Sequence, residues 1–257
     1  MNKYNSVKEA LEDLQNGKII LVSDDEKREN EADMILSSQF ATPENINLMA
    51  KYARGLICMP MSESIAQRLN FYPMVNQNTD NHNTAFTVSG DHKETSTGIS
   101  AYDRSLTALK CIEKGSKPED FRRPGHMFPL VAKKGGVLVR AGHTEATVDL
   151  CRLAGLKECG LCCEVMDEDG TMMKKEKLFN LAQKLSLKFI TIKDLQDYIR
   201  INEKHVVQEA KAKLPTEFGE FTIYGYVNDI TGEHHVALVK GEIKDGENIL
   251  SLRMFNR

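Results

Sequence analysis

No apolar run in this chain approaches the ~20 residues needed to cross a bilayer, and the opening MNKYNSVKEALEDL lacks the basic-then-apolar order of a secretory signal. Membrane-spanning and secreted classes are set aside, and a cytoplasmic protein is expected. Long blocks of one charge, internal repeats and low-complexity tracts are also missing, and the net charge is only -3 with a sequence pI near 6.2. A general attraction to nucleic acid or to a membrane surface is therefore excluded, and a small-molecule site fits better. Cysteines number six in 257 residues: Cys58, Cys111, Cys151, Cys159, Cys162 and Cys163. Without a secretion signal they read as reduced thiols. Cys159 and Cys162 have CxxC spacing, but no second CxxC or CxxH pair accompanies them, so buried strand cysteines are the better reading than a zinc site.

What is present is ample apolar material, 41% of the chain against 28% charged, enough for one large globular domain with or without an appendage. Ser6 and Glu9 form a capping box ahead of the stripe Val7, Ala10, Leu11 and Leu14, which Gly17 closes. Lys18–Ser23 reads as a buried strand, Thr42-Pro43 opens a second helix, and Gly55–Met59 returns as another strand. Helices are expected over Thr144–Leu153, Lys174–Leu185 and Thr191–Ile201, with strands near Val137–Val139, Leu161–Val165 and Phe189–Ile190. Such alternation predicts layered helix and sheet. After residue 202 the character changes. A polar connector, EKHVVQEAKAK, is expected to be helical, and strand-like FTIYGYV and HVALVKGEI follow it. This second module, 203–257, has about forty residues beyond its connector, near the size below which a core rarely suffices alone.

The densest polar cluster is Asp24-Asp25-Glu26-Lys27-Arg28-Glu29-Asn30-Glu31-Ala32-Asp33, at a strand end where sites are commonly built. If residues 29–33 are extended, Glu29, Glu31 and Asp33 share a face, and closely spaced carboxylates hold a hard cation or exchange a proton. Arg28 offers a phosphate ligand; a solvated charged loop is the plainer alternative. In Arg140-Ala141-Gly142-His143-Thr144 an expected strand gives way to a helix capped by Thr144. Helix starts bind phosphate through free amides, and His143 brings a metal-binding imidazole. Arg122-Arg123-Pro124-Gly125-His126 reads as a turn with a titratable tip, and Glu94-Thr95-Ser96-Thr97-Gly98 as three hydroxyls able to hold phosphate or as an ordinary turn. Glu164, inside an apolar strand, is either an ion-pair member or a proton-transfer group.

Together, DDEKRENEADMI, STGISAYDR, RRPGHMFPL, RAGHTEATVDL and CCEVMDEDGTM resemble, in order, the motifs of 3,4-dihydroxy-2-butanone 4-phosphate synthase, across roughly residues 4 to 202. That resemblance implies an α+β fold of three layers, a mixed sheet between helices. It implies a homodimer with sites at the subunit interface, and conversion of ribulose 5-phosphate to the four-carbon ketone phosphate and formate. It implies magnesium, with manganese able to substitute, on Glu29 and His143. Substrate contacts would come from Arg28, Glu29, Asp33, Thr97, Glu164 and the run Arg140, Ala141, Gly142, His143 and Thr144. His126 and Glu164 would be required for catalysis, with Cys58 at the pocket. The tail AKLPTEFGEFTIYGYVNDITGEHHVALVKGEI resembles the opening of GTP cyclohydrolase II, as far as about Asn248. No cysteine follows Cys163 to make that family's zinc site, so cyclohydrolase activity is expected to be absent.

Overall fold

The capping box expected at Ser6 forms: its hydroxyl accepts the Glu9 amide at 3.3 Å, and the Glu9 carboxylate accepts the Ser6 amide at 2.9 Å. From that start α1 (Val7–Gln15) runs with Val7, Ala10, Leu11 and Leu14 buried. The computed structural model describes residues 4–241, and the chain divides after Ile201 into two compact units.

In the first unit, β1 (Ile20–Ser23) and β2 (Ala32–Ser37) form a hairpin, followed by α2 (Pro43–Tyr52) and β3 (Cys58–Met61). Then come α3 (Glu63–Arg68), β4 (Gly90–His92), α4 (Ala101–Ile112) and β5 (Phe121–Val131). The unit closes with α5 (His143–Leu153), β6 (Gly160–Glu164), α6 (Lys175–Leu185), β7 (Phe189–Thr191) and α7 (Ile192–Asn202), whose last residue falls in the second unit. The seven strands lie in the order β4-β5-β3-β6-β2-β1-β7. The β1–β7 and β3–β5 pairs are parallel and the other pairs antiparallel, so the sheet is mixed.

Strand alternation divides the core in two. Leu21, Met34, Leu36, Met59, Leu161 and Cys163 face one cluster with Ile46 and Met49 of α2, Ala108 and Cys111 of α4, and Leu178 and Leu181 of α6. Ile20, Val22, Ile35, Cys58 and Cys162 face the other with Leu11 and Leu14 of α1, Ala146 and Leu150 of α5, and Leu195 and Ile199 of α7. Helices therefore cover both faces of the sheet, the three-layer arrangement expected from the sequence.

Two expectations about which segments of this unit are strands fail. Val137–Val139 is not a strand: Gly136–Leu138 forms a 3-10 turn, because Gly135 and Gly136 take φ of 89° and 58° and the Asp149 carboxylate accepts the Val137 amide at 2.8 Å. Arg122–His126 is not a turn either but part of β5, whose Phe128 pairs Cys58 and whose Met127 pairs Gly90.

The second unit is an antiparallel sheet in the order β10-β9-β8, made of β8 (Val206–Thr216), β9 (Gly219–Asn228) and β10 (His234–Val239). The connector expected to be helical is β8 instead. Cross-strand pairing from Val206↔Asn228 to Thr216↔Gly219 wins over the helical propensity of its Glu, Ala and Lys. The end of the tail resemblance, near Asn248, lies outside the described residues. Among the described residues no helix is long and apolar enough to cross a membrane.

Candidate active site

The β1–β2 connection is folded by Asp24. Its carboxylate accepts the amides of Glu31 at 3.0 Å and Glu29 at 3.1 Å and the Arg28 guanidinium at 2.9 Å. Residues 29–33 are not extended throughout, since Asn30 sits at φ 55° and the strand begins only at Ala32. The carboxylates converge all the same, because Asp24 gathers the loop from within. Burial, then the charges of Glu29 and Glu164, push the Glu31 carboxyl up. Asp33, 3% exposed, is pushed well up by burial first and Glu164 second. Its Oδ1 is buried without a hydrogen-bond partner, a costly state for an oxygen with no ligand to meet it.

His143 lies opposite. Its Nε2 is 3.1 Å from the Val22 carbonyl oxygen. A carbonyl can only accept, so Nε2 carries the proton and Nδ1 presents a lone pair. That lone pair faces Asp33 Oδ1 at 3.5 Å and Glu29 Oε2 at 3.9 Å. Burial lowers the proton affinity of this imidazole, which keeps it neutral as a metal ligand must be. Asp24, Glu29 and His143 offer donor atoms all within 4.8 Å of one another. Two carboxylates, one neutral imidazole oriented by a carbonyl, and an orphaned Asp33 oxygen fit a hard divalent cation that retains some waters. Asp24, which both folds the loop and joins the donor set, is not singled out by the sequence. Its signal there was position, at the end of a buried strand.

The Arg140–Thr144 turn differs from expectation in its cap. Gly142 is the N-cap, and α5 starts at His143, so Thr144 lies inside the first turn. First-turn amides have no partner within the helix and remain suited to an anion. Arg140 is held by the Glu145 carboxylate at 2.6 Å, the Thr84 hydroxyl at 3.0 Å and the His82 carbonyl at 3.1 Å. Glu145, buried to 1% exposure, also accepts the Lys133 amide at 3.0 Å and was missed by the sequence reading. A Cβ on Gly142 would overlap the Arg140 guanidinium and displace it from its present position.

A second group of side chains surrounds His126. The Asp91 carboxylate accepts the His126 amide at 2.8 Å and lies 2.7 Å from Nδ1 of its ring. Of the three hydroxyls in the 94–98 turn, Thr95 bonds the His92 carbonyl and Ser96 bonds Asp103, while Thr97 stays exposed. Asp103 also accepts the amides of Ser96 and Gly98, and those bonds hold its carboxyl down to about 2.

Sheet register relates the two groups. Cys58 pairs both Phe128 and Cys162, and Glu164 pairs Asp33. Two residues along from Phe128 and Cys162, hence on the same face, are His126 and Glu164. Glu164 is half-buried and accepts the Leu56 amide at 2.9 Å. Cys58, 2% exposed, has its thiol pushed up by burial and then by Glu164, so it is a neutral lining group and not a thiolate. All six cysteines are free and buried. Beside the 24–31 loop an open cleft of about 890 Å³ is lined also by Ala141, Lys174, Lys175 and Lys193.

The mixed three-layer fold and its acidic, histidine-bearing sheet end agree with sequence kinship. Residues 8–198 match the family described as 3,4-dihydroxy-2-butanone 4-phosphate synthase, and the chain belongs to that family. Residues 207–255 match the family described as GTP cyclohydrolase II. The chain is 53% identical over 252 residues to the riboflavin biosynthesis protein RibBA of Bacillus subtilis, covering 98% of this chain and 63% of that protein. It is 51% identical to RibBA of Bacillus cereus, covering 96% and 62%. It thus spans a little under two thirds of the curated relatives it matches. Among solved structures, RibBX, a two-domain 3,4-dihydroxy-2-butanone 4-phosphate synthase from A. baumannii, superposes with TM-score 0.85 at 41% identity, covering 94% of this chain and 72% of that one. A 3,4-dihydroxy-2-butanone 4-phosphate synthase in complex with two magnesium ions superposes with TM-score 0.74 at 36% identity, covering 77% and 98%.

Proposed function

We propose that residues 1–202 form a magnesium-dependent lyase that converts ribulose 5-phosphate to 3,4-dihydroxy-2-butanone 4-phosphate and formate in riboflavin biosynthesis. The observation that carries this reading is the donor set of Asp24, Glu29 and His143 beside the orphaned Asp33 oxygen. Glu29 and His143, with Asp24, would hold magnesium, or manganese in its place. When bound, the ion stabilises negative charge developing on sugar oxygens.

The protein's own groups do the rest. Arg28 and Asp33 orient the sugar end. The first turn of α5 with Arg140, Ala141, Gly142 and Thr144 receives the phosphate. His126 and Glu164 move protons, while Cys58 and Thr97 line the pocket. We place the enzyme in the cytoplasm as a homodimer. No chemistry is assigned to residues 203–257, which supply no cysteine for a zinc site.

Incubating the protein with ribulose 5-phosphate, with magnesium or with EDTA, and following formate and the four-carbon product tests the reading. Metal-dependent formate is expected. A different product would instead favour a sugar-phosphate isomerase or aldolase using the same carboxylates and histidine. No turnover from folded, metal-loaded protein would favour a non-catalytic partner of a riboflavin-pathway enzyme. Glu29→Gln removes a metal ligand from a half-buried loop and leaves the core intact, so turnover should fall at least ~1000-fold with stability within about 1 kcal/mol. Retained turnover would refute the metal assignment.

A further inference from the structure

His126 of β5 lies beside Asp91 of β4. One Asp91 carboxylate grips it twice, taking its backbone amide at 2.8 Å with Oδ1 and lying 2.7 Å from ring Nδ1 with Oδ2. Two bonds from one rigid group to the backbone and ring of the same residue fix both side-chain torsions. The burial of the pair is asymmetric: the Asp91 side chain is 9% exposed and the His126 side chain 45%. The ring therefore faces the carboxylate with its Nδ1 edge and the outside with its Nε2 edge.

The surroundings leave room for little else. A Cβ on Gly98, at φ 91°, would overlap both the Asp91 carboxylate and His126 Nδ1, and a Cβ on Gly125 would overlap the Asp91 amide nitrogen and carboxyl carbon. Gly98 is pinned by its amide to Asp103 at 3.1 Å, and Gly125 by its amide to the Ser89 hydroxyl at 3.1 Å. Both glycines thus pack directly against Asp91, and Gly98 against the His126 ring as well.

We propose that Asp91 is the positioning residue for His126, fixing the tautomer with the proton on Nδ1 so that bare Nε2 is aimed at the substrate. An ionised carboxylate can only accept, so the neutral ring keeps its proton on Nδ1 and has one lone pair, on Nε2. That atom can take a proton from a sugar carbon or hydroxyl and return it to another without the ring turning over. The inference rests on the reading of His126 as a proton-transfer group.

The test uses the full chain labelled with 15N-histidine, the His126 ring signals being assigned by their loss in His126→Asn. Neutral wild-type His126 should show protonated Nδ1 and unprotonated Nε2. In Asp91→Asn the amide can donate to Nδ1, which turns the ring to the Nε2-protonated form. The kcat for formate release should then fall roughly 100-fold with KM within about 3-fold. Protonated Nε2 in wild type overturns the proposal, as does Asp91→Asn with kcat within about 2-fold. If Asp91→Asn does not fold, the wild-type ring signals decide alone. Wild type that releases no formate would sink the proposed function, whereas the ring signals would still report the Asp91–His126 pair.

Discussion

β2 and β9 are both central strands of antiparallel neighbours, and both are rich in apolar residues, yet all six residues of β2 are buried and none of β9 is. β2 lies between β1 and β6 with helices over both faces. β9 lies between β8 and β10, where Phe221, Ile223 and Val227 share a face with Leu214, Val236 and Leu238. Val236 and Leu238 remain 63% and 55% exposed. Burial is thus set by the number of covering layers and not by the apolarity of the strand. That difference also decides where chemistry can arise. A carboxylate on β2, Asp33, is forced into a low-dielectric interior and its proton affinity rises, whereas charges on β8 stay solvated.

The sharpest way to break this comparison is a truncation at β2. Leu36 is fully buried and pairs Leu161 within the helix-covered core. Leu36→Ala should cost about 2–5 kcal/mol, read as a lower urea midpoint at unchanged slope. A loss under ~1 kcal/mol would mean that the two-layer cover is loose.

A middle-sized effect is expected where a buried charge is satisfied by loop amides. Asp103 takes the Ser96 amide, the Ser96 hydroxyl and the Gly98 amide, so Asp103→Ala should cost about 1–3 kcal/mol. Its folded carboxyl is depressed from 3.8 to about 2. A depressed carboxyl contributes stability that is fully present above the unfolded value and is lost as pH falls through the folded one. The stability gap between wild type and Asp103→Ala should therefore hold above about pH 4 and shrink between pH 4 and 2. A gap independent of pH would show that the hydrogen bonds do not depend on the ionised form.

Much of the first unit was legible because its signals are local. The Ser6–Glu9 box, the α1 stripe and the alternation of helix and strand all follow from neighbours in sequence. What was not legible depends on distant partners. β5 reads as a turn because Arg123-Pro124-Gly125 carries turn residues, and β4 and β3 on either side impose the strand. EKHVVQEAKAK fits a polar helix as well as a strand until β9 pairs with it. Asp91 and His126 stand 35 positions apart, and no periodicity joins them. Asp24 was in view within the acidic cluster, but its part as the loop's internal acceptor needed the fold at Asn30.

The smallest effect should come from the apolar face of the second unit, and it probes the comparison most directly. Leu238 on β10 pairs Ile223 of β9 and is as apolar as Leu36, but more than half of it meets solvent. Truncating a side chain that is already exposed removes little transfer free energy and leaves no enclosed cavity. Leu238→Ala should therefore change the urea midpoint of the main transition by no more than the equivalent of about 0.5 kcal/mol, and formate release should be unaffected. If instead its cost approached that of Leu36→Ala, the β8–β10 face would have to be buried in solution. Apolarity would then predict burial in both units, and the contrast between β2 and β9 would not hold.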